Sequence, residues 1–369
     1  MTPAEERQIK HQRVVGYLDT HDLDGVLLSR RCNFNWYTGG ARNYVAEACD
    51  AGNSALLVER AGATVLANNT EAPRLAAEDL AAADLDFQTF DYYDATGAGK
   101  AFDAALSGKR VAADVPAAGR ELPSLDAMFD RLRWELTPAE IMRYRAVCRD
   151  VAEALEAAAR TAEPGRSEHD LAGETALRLR AAGCTPWLLL VGTDERIAAY
   201  RHPLPTDKRL ERKAMLVTCA ERGGLVAAMT RLVHFGAIPD ELAERHRAAA
   251  TVTAALLTAM RPGRTLGALF AEAQAAFREA GFADEWRALH VGGSCGYLPR
   301  ERKAAPGDDT AVLADQAFAW NPSVAGTKCE DTVLCTDEGW QRLSGQTGWP
   351  MEAAAWKGES FELPGILSR

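Results

Sequence analysis

The sequence predicts two domains of mixed architecture, an α/β domain over residues 1–135 and an α+β domain over residues 136–369. Three observations carry this reading. The chain has 369 residues, of which 47% are hydrophobic, enough for two cores. As far as Trp134, short apolar runs alternate with short helical patterns, as in an α/β layer. Beyond Trp134-Glu-Leu-Thr-Pro138 the periodicity lengthens, with Thr137 placed to cap a helix that begins at Pro138.

The elements follow in order. Residues 3–20 read as an amphipathic helix, Asp24-Gly-Val-Leu-Leu-Ser29 as a strand, and Asn35-Trp-Tyr-Thr-Gly-Gly40 as a strand running into a turn. Residues 54–59 and 63–67 read as a hairpin joined through Gly62. Helices are expected over Glu71–Ala82 and Gly99–Leu106, and a short strand over Arg110–Asp114. In the second domain, two long helical patterns cover Pro138–Thr161 and Ser167–Ala182, the latter opened by a capping box, Ser167-Glu-His-Asp170. A strand over Trp187–Gly192 and a hairpin over 215–234 follow. A second pair of helices, 239–260 and 265–280, then precedes strands near 287–292, 316–321 and 330–335. The tail after Trp349 reads as irregular, and no short repeat or low-complexity segment interrupts the chain.

The net charge of −10 argues against nucleic acid, whose phosphates it would repel. No signal peptide is expected from the polar start, Met1-Thr-Pro-Ala-Glu-Glu-Arg7, and no apolar stretch is long enough to span a bilayer. Eight cysteines lie scattered without zinc-ligand spacing and read as reduced thiols. A cytoplasmic protein without a membrane partner is the simplest expectation.

The chemistry concentrates between His290 and Thr332. The landmarks are His290-Val-Gly-Gly-Ser-Cys-Gly-Tyr297, Arg300-Glu301, Trp320-Asn321-Pro322 and Lys328-Cys-Glu-Asp-Thr332. Their order resembles the C-terminal half of the creatinase and Xaa-Pro aminopeptidase superfamily, which also holds prolidases and methionine aminopeptidases. The resemblance implies a pita-bread fold for 136–369, built on two helix pairs each followed by strands, and a creatinase-like N-terminal domain ahead of it. It also implies a homodimer. In such dimers the first domain of one subunit leans over the other's pocket, which would make Trp36, Arg42, Asn43 and Tyr44 either a ligand-facing loop or a plain surface loop.

The same resemblance shows what is missing. The metallopeptidases carry a His in a Gly-His-Gly loop, which here reads Gly292-Gly293-Ser294, so the His position is Gly293. Their Glu-Pro strand reads Asn321-Pro322. Their hairpin Asp positions fall on Val217 and Ala228, placed by Thr230-Arg231, and moving the first to Cys219 restores no carboxylate pair. Only Glu330 remains of the ligand set. A di-metal site needs hard oxygen donors and a His in a fixed cluster. No catalytic metal and no other cofactor are therefore expected.

Candidate residues remain. The resemblance marks His202, in Tyr200-Arg-His-Pro-Leu-Pro205, as the acid/base, since creatinase works without a metal and uses a His there; the alternative is a loop His bonded locally. Glu330 either binds a cationic nitrogen or orients His202, or else forms a structural ion pair with Lys328 or Arg231. Arg201, Arg231, Arg300 and Lys328 are candidate clamps for a substrate carboxylate, replacing part of the roughly four positive charges that two divalent ions supply. Tyr297, Trp320 and Asn321 are expected to line the pocket. Cys295 is either a nucleophile or a small buried hydrophobe, and His290 a pocket or a core histidine.

Three functions follow. The first is a metal-independent, creatinase-like enzyme acting on a C–N bond of a small polar, carboxylate-bearing molecule. Asn321 replaces a carboxylate that creatinase keeps, so creatine itself is not the expected substrate. The second is a non-catalytic binding protein on the same scaffold. The third is an atypical Xaa-Pro peptidase.

Overall fold

The computed structural model describes all residues except Ala82, Asp84, Ala118 and Gln346. The chain divides into two compact units, Met1–Glu140 and Ile141–Arg369.

The first unit is an α/β layer. Its sheet runs in the order Asp86–Phe90, Gly62–Asn68, Ala51–Glu59, Gly25–Arg30, Val111–Ala113, with parallel pairs at both edges and antiparallel pairs between. The hairpin expected through Gly62 is present, whereas Asp86–Phe90 and the helix Ala127–Arg131 are additions that the sequence pattern did not reveal. The expected strand at Asn35–Gly40 is instead a helix, Arg31–Thr38, closed by Gly39 at φ 78°. Residues Arg31 to Tyr37 are all buried, so no polar face marks the helical period. The expected helix over Glu71–Ala82 is reduced to Ala72–Arg74 and a π turn, Leu75–Asp79, and Ala82 lies outside the described residues.

Trp36 and Asn43, read as members of a loop, are 1% exposed. Asn43 donates to the Ser29 and Ser54 carbonyls, Arg42 pairs with Asp79, and Tyr44 lies under the Arg31 guanidinium. These four residues brace the unit. The helix Pro3–His21 starts at a capping box, Thr2 with Glu5. From it Lys10, wholly buried, reaches Glu6 at 2.5 Å, Glu140 at 2.8 Å and the Trp36 carbonyl at 2.6 Å.

The second unit contains the pita-bread arrangement. The helices Pro138–Arg160 and Glu168–Ala181 precede the strand Thr185–Thr193, which opens a four-stranded sheet with the hairpin Lys213–Arg222/Leu225–His234 and Ile366–Ser368. The helices Asp240–Ala259 and Leu266–Glu279 precede a five-stranded sheet in the order Arg302–Lys303, Gly292–Cys295, Gln316–Trp320, Asp331–Thr336, Gly339–Arg342. The expected strand near 287–292 begins later, at Gly292, behind a 3₁₀ turn at Glu285–Arg287. The tail is not irregular. Met351–Trp356 and Glu359–Pro364 form a hairpin, and Trp356, Phe361 and Leu363 from it complete the core under the Ala-rich helix 240–259. Thr332 stitches the two sheets together, since its hydroxyl accepts from Ala228 N at 2.9 Å and donates to Ala228 O at 3.0 Å.

Among the described residues no helix is long and apolar enough to cross a membrane. The eight cysteines are unpaired.

Lys10→Met would leave Glu6 and Glu140 buried without their shared cation. Breaking such a group costs about 3–5 kcal/mol, and chemical denaturation of the first unit's tryptophan signal should show a loss of that size.

Candidate functional site

The hairpin pairs Val217 with Thr230 and Cys219 with Ala228. Alternation along a strand then puts these four side chains on one face. Across from them, the pairing of Trp320 with Asp331 brings the next residues, Asn321 and Glu330, together. Thr230 Oγ1 donates to Glu330 Oε2 at 2.6 Å, and Arg300 Nη2 donates to Glu330 Oε1 at 2.9 Å. Both carboxylate oxygens are engaged, and the carboxylate is only 2% exposed. Its ion-pair partner is Arg300, where one of the alternatives drawn from the sequence named Lys328 or Arg231. Burial opposes ionisation of Glu330, but the Lys328 and Arg300 cations and the Thr230 hydroxyl outweigh it and hold the carboxyl below its ordinary value.

Lys328 is the second cation of this group and is also 2% exposed. It forms no hydrogen bond or close ion pair among the described residues. Burial lowers its pKa, with Glu330 opposing and Arg300 assisting. Two further polar atoms, Arg300 Nε and Asn321 Oδ1, are buried without a partner among the described residues. Buried polar groups are ordinarily satisfied, so unsatisfied ones gathered at one place mark a site.

His202 sits on an exposed loop between the helix Glu195–Ala199 and the hairpin, with no side-chain hydrogen bond among the described residues. Partial shielding of the ring, then the Lys328 cation, lower its pKa from the ordinary 6.5, against the pull of Glu330. The imidazole is therefore neutral at pH 7 and able to accept a proton. His290 is half-buried. Gly292 N donates to its Nδ1 at 3.2 Å, which leaves the proton of the neutral ring on Nε2. Burial, reinforced by Arg300, brings its pKa down to about 4.

Other expected site residues lie elsewhere or are already engaged. Arg201 pairs with Glu285 and donates to Ser323 Oγ at 3.2 Å. Arg231 points to the opposite face from Thr230 and binds Glu156 at 2.9 Å. Trp320 is core, stacked on Phe318 with its Nε1 on Met260 Sδ. Tyr297 is fully buried. Cys295 is 1% exposed and lies 3.3 Å from the Tyr144 hydroxyl, and burial drives its pKa up to about 12. That environment suppresses the thiolate a nucleophile needs. In the sequence Thr230 is marked only by its place in the Thr230-Arg231 pair. Strand alternation from Val217 and Ala228 was the signal that it faces the site.

The model of Metallopeptidase family M24 matches residues 142–337. The chain belongs to this family. The Xaa-Pro dipeptidase of Pyrococcus furiosus is 24% identical over 238 residues, covering 61% of this chain and 67% of that protein. The prolidase of Pyrococcus horikoshii OT3 superposes with a TM-score of 0.76 at 19% identity, over 92% of this chain and 98% of that one. The Xaa-Pro dipeptidase of Bacillus anthracis gives 0.77 at 16%, over 98% and 100%. These structures share the two-domain pita-bread architecture.

Family M24 implies a metal, and the residues present here do not fit one. Val217, Ala228, Gly293 and Asn321 stand at the positions that the resemblance assigns to ligands, and Glu330 is occupied by Arg300 and Thr230. Among the described residues no group of three His, Cys, Asp or Glu side chains is arranged to hold an ion. A Cβ at Gly293 would lie 2.0 Å from the Arg302 carbonyl oxygen, because Gly293 pairs with Lys303 in the sheet. Histidine has no room there.

Gly293→His should accordingly not create a metal site. It should overpack the strand pair, at a cost toward the upper end of roughly 1–3 kcal/mol, visible as a lower melting temperature that added zinc or manganese does not restore.

Proposed function

We propose that this M24 family member is a metal-independent enzyme that hydrolyses a C–N bond in a small, polar, carboxylate-bearing substrate. The observation that carries this reading is the buried, unpartnered Lys328 beside the Arg300–Glu330 pair. Two cations and one carboxylate leave one positive charge uncompensated in a low-dielectric pocket, where it favours an anion strongly. Lys328 and the free Nε of Arg300 hold the substrate carboxylate, and Asn321 Oδ1 accepts from a substrate N–H. His202, neutral at pH 7, takes a proton from the attacking water and returns it to the departing nitrogen. Glu330 positions Arg300 and does not touch the reacting atoms. Dipeptides of the Xaa-Pro type, named for the Pyrococcus furiosus relative, carry such a carboxylate and are the first substrates to try, followed by N-amidino amino acids.

A second reading, a non-catalytic binding protein, draws support from Glu330, whose two oxygens are both spent on the protein itself. A cytoplasmic homodimer with no nucleic-acid or membrane partner completes the proposal, on the strength of the resemblance and the net charge of −10.

Protein expressed with manganese, zinc, iron and cobalt should contain less than about a tenth of an equivalent of each, since one carboxylate cannot retain a divalent ion against water. One or two equivalents of a single metal would overturn the proposal. Turnover should survive chelators, and His202→Ala should reduce kcat by about 10²–10⁴ with little change in KM. Lys328→Met should instead raise KM. Carboxylate binding that Lys328→Met abolishes, with no turnover of any substrate, would favour the second reading.

The pH profile tests His202 directly. Its pKa lies below 6.5, so kcat/KM should rise along an acid limb with a midpoint below that value and level off above it. A limb centred above 6.5 would assign the base to another group.

A further inference from the structure

Thr230 and Glu330 share the face of the candidate site, so their neighbours Arg231 and Asp331 face the other side of the same strands. There they line a separate cavity of about 320 Å³ together with Arg342, Ser344, Trp349 and Met351. Nothing in the proposed reaction uses this cavity.

Its charged groups have hydrogen-bonding capacity left over. Asp331 is 7% exposed. Its Oδ1 accepts from Thr332 N at 3.2 Å and from Ser344 Oγ at 3.5 Å. Its Oδ2 lies 3.6 Å from Arg231 Nη2 and 3.6 Å from Arg342 Nε. Both separations exceed a hydrogen bond, and Oδ2 has no partner among the described residues. Arg342 Nε is buried and likewise unpartnered, while Arg342 Nη2 is fixed on the Glu362 carbonyl. Arg231 cannot close the gap, because Glu156 holds its Nε at 2.9 Å and the Thr230 carbonyl holds its Nη1 at 3.0 Å. Among the described residues, the structure thus holds an acceptor and a donor side by side, ion-paired at 3.6 Å but each without a hydrogen bond.

The charges decide the class of ligand. Of the charged side chains that line the cavity, two guanidinium groups, Arg231 and Arg342, are balanced by two carboxylates, Asp331 and Glu362. A simple anion or cation gains little there, whereas a molecule carrying both signs satisfies both groups. The volume is at the lower end of the roughly 300–1,000 Å³ typical of small-ligand sites.

We propose that this cavity binds a free amino acid or a zwitterion of that size. Its ammonium group faces the Asp331 carboxylate, its carboxylate faces the Arg231 and Arg342 guanidinium groups, and its side chain rests against Trp349 and Met351. The site is independent of the catalytic reading, since it lies on the opposite face and shares no side chain with it.

Titration calorimetry of the full chain with individual amino acids at millimolar concentration tests this without reference to turnover. At least one amino acid should bind with one-to-one stoichiometry. Asp331→Asn should weaken it roughly tenfold or more. Met351→Trp, which changes a rim residue 38% exposed and fills the mouth while leaving every charge in place, should do the same even if Asp331→Asn proves unstable. Lys328→Met, on the other face, should leave the affinity unchanged. Binding of no amino acid would show that the cavity holds only water. Binding that withstands Met351→Trp but is lost in Lys328→Met would place the ligand in the other pocket. Either result overturns the proposal.

Discussion

A carboxylate that is 2% exposed must be neutralised, and the choice of cation beside Glu330 governs the rest of the site. In this chain the choice is a guanidinium. Removing one partner from a buried pair costs about 3–5 kcal/mol, so Arg300 cannot leave Glu330 to clamp a ligand. Both cations act on Glu330, the guanidinium through a hydrogen bond and Lys328 through its charge. The proposed role of the site as an anion receptor rests on Lys328, the cation that forms no hydrogen bond among the described residues.

The same cluster sets the protonation of its surroundings. Burial alone keeps thiols neutral, and it dominates at Cys219, which rises to about 11 even though Arg300 and Lys328 pull the other way. Cys295 rises further, to about 12. For histidines, burial and the cations act in the same direction, and His290 falls to about 4. His202 is more exposed, and partial shielding followed by the Lys328 cation lowers its pKa as well. Burial thus disfavours the charged form of both groups, the thiolate and the imidazolium.

Much of this was legible in the sequence wherever a local signal exists. The long helices, the capping box at Ser167 and the 213–234 hairpin each follow from periodicity or capping chemistry within a few residues. That Gly293 and Asn321 stand where the resemblance places ligands is read from the motifs around them. The failures have a common cause. The helix Arg31–Thr38 is buried on all sides, so tertiary packing rather than pattern determines it. The C-terminal hairpin is held by contacts with helices far back in the chain. Arg300 and Thr230 meet Glu330 across separations of 30 and 100 residues, which no spacing rule detects.

Metal ligands contribute to a fold when the apolar core is too small to suffice, and that condition is not met here. The second unit buries a continuous cluster from Ala248 to Leu363, with two helices packed on Phe318, Trp320 and Val333. The sheets are joined by the Thr332 hydroxyl on both backbone groups of Ala228, a link that needs no ion. At Gly293 the absent side chain lets the Arg302–Lys303 strand approach and pair, so backbone hydrogen bonding fills the space that a histidine would need. Replacing one residue could not return this site to a metal centre, because the strand pairing at Gly293 and the ion pair at Glu330 each oppose it independently.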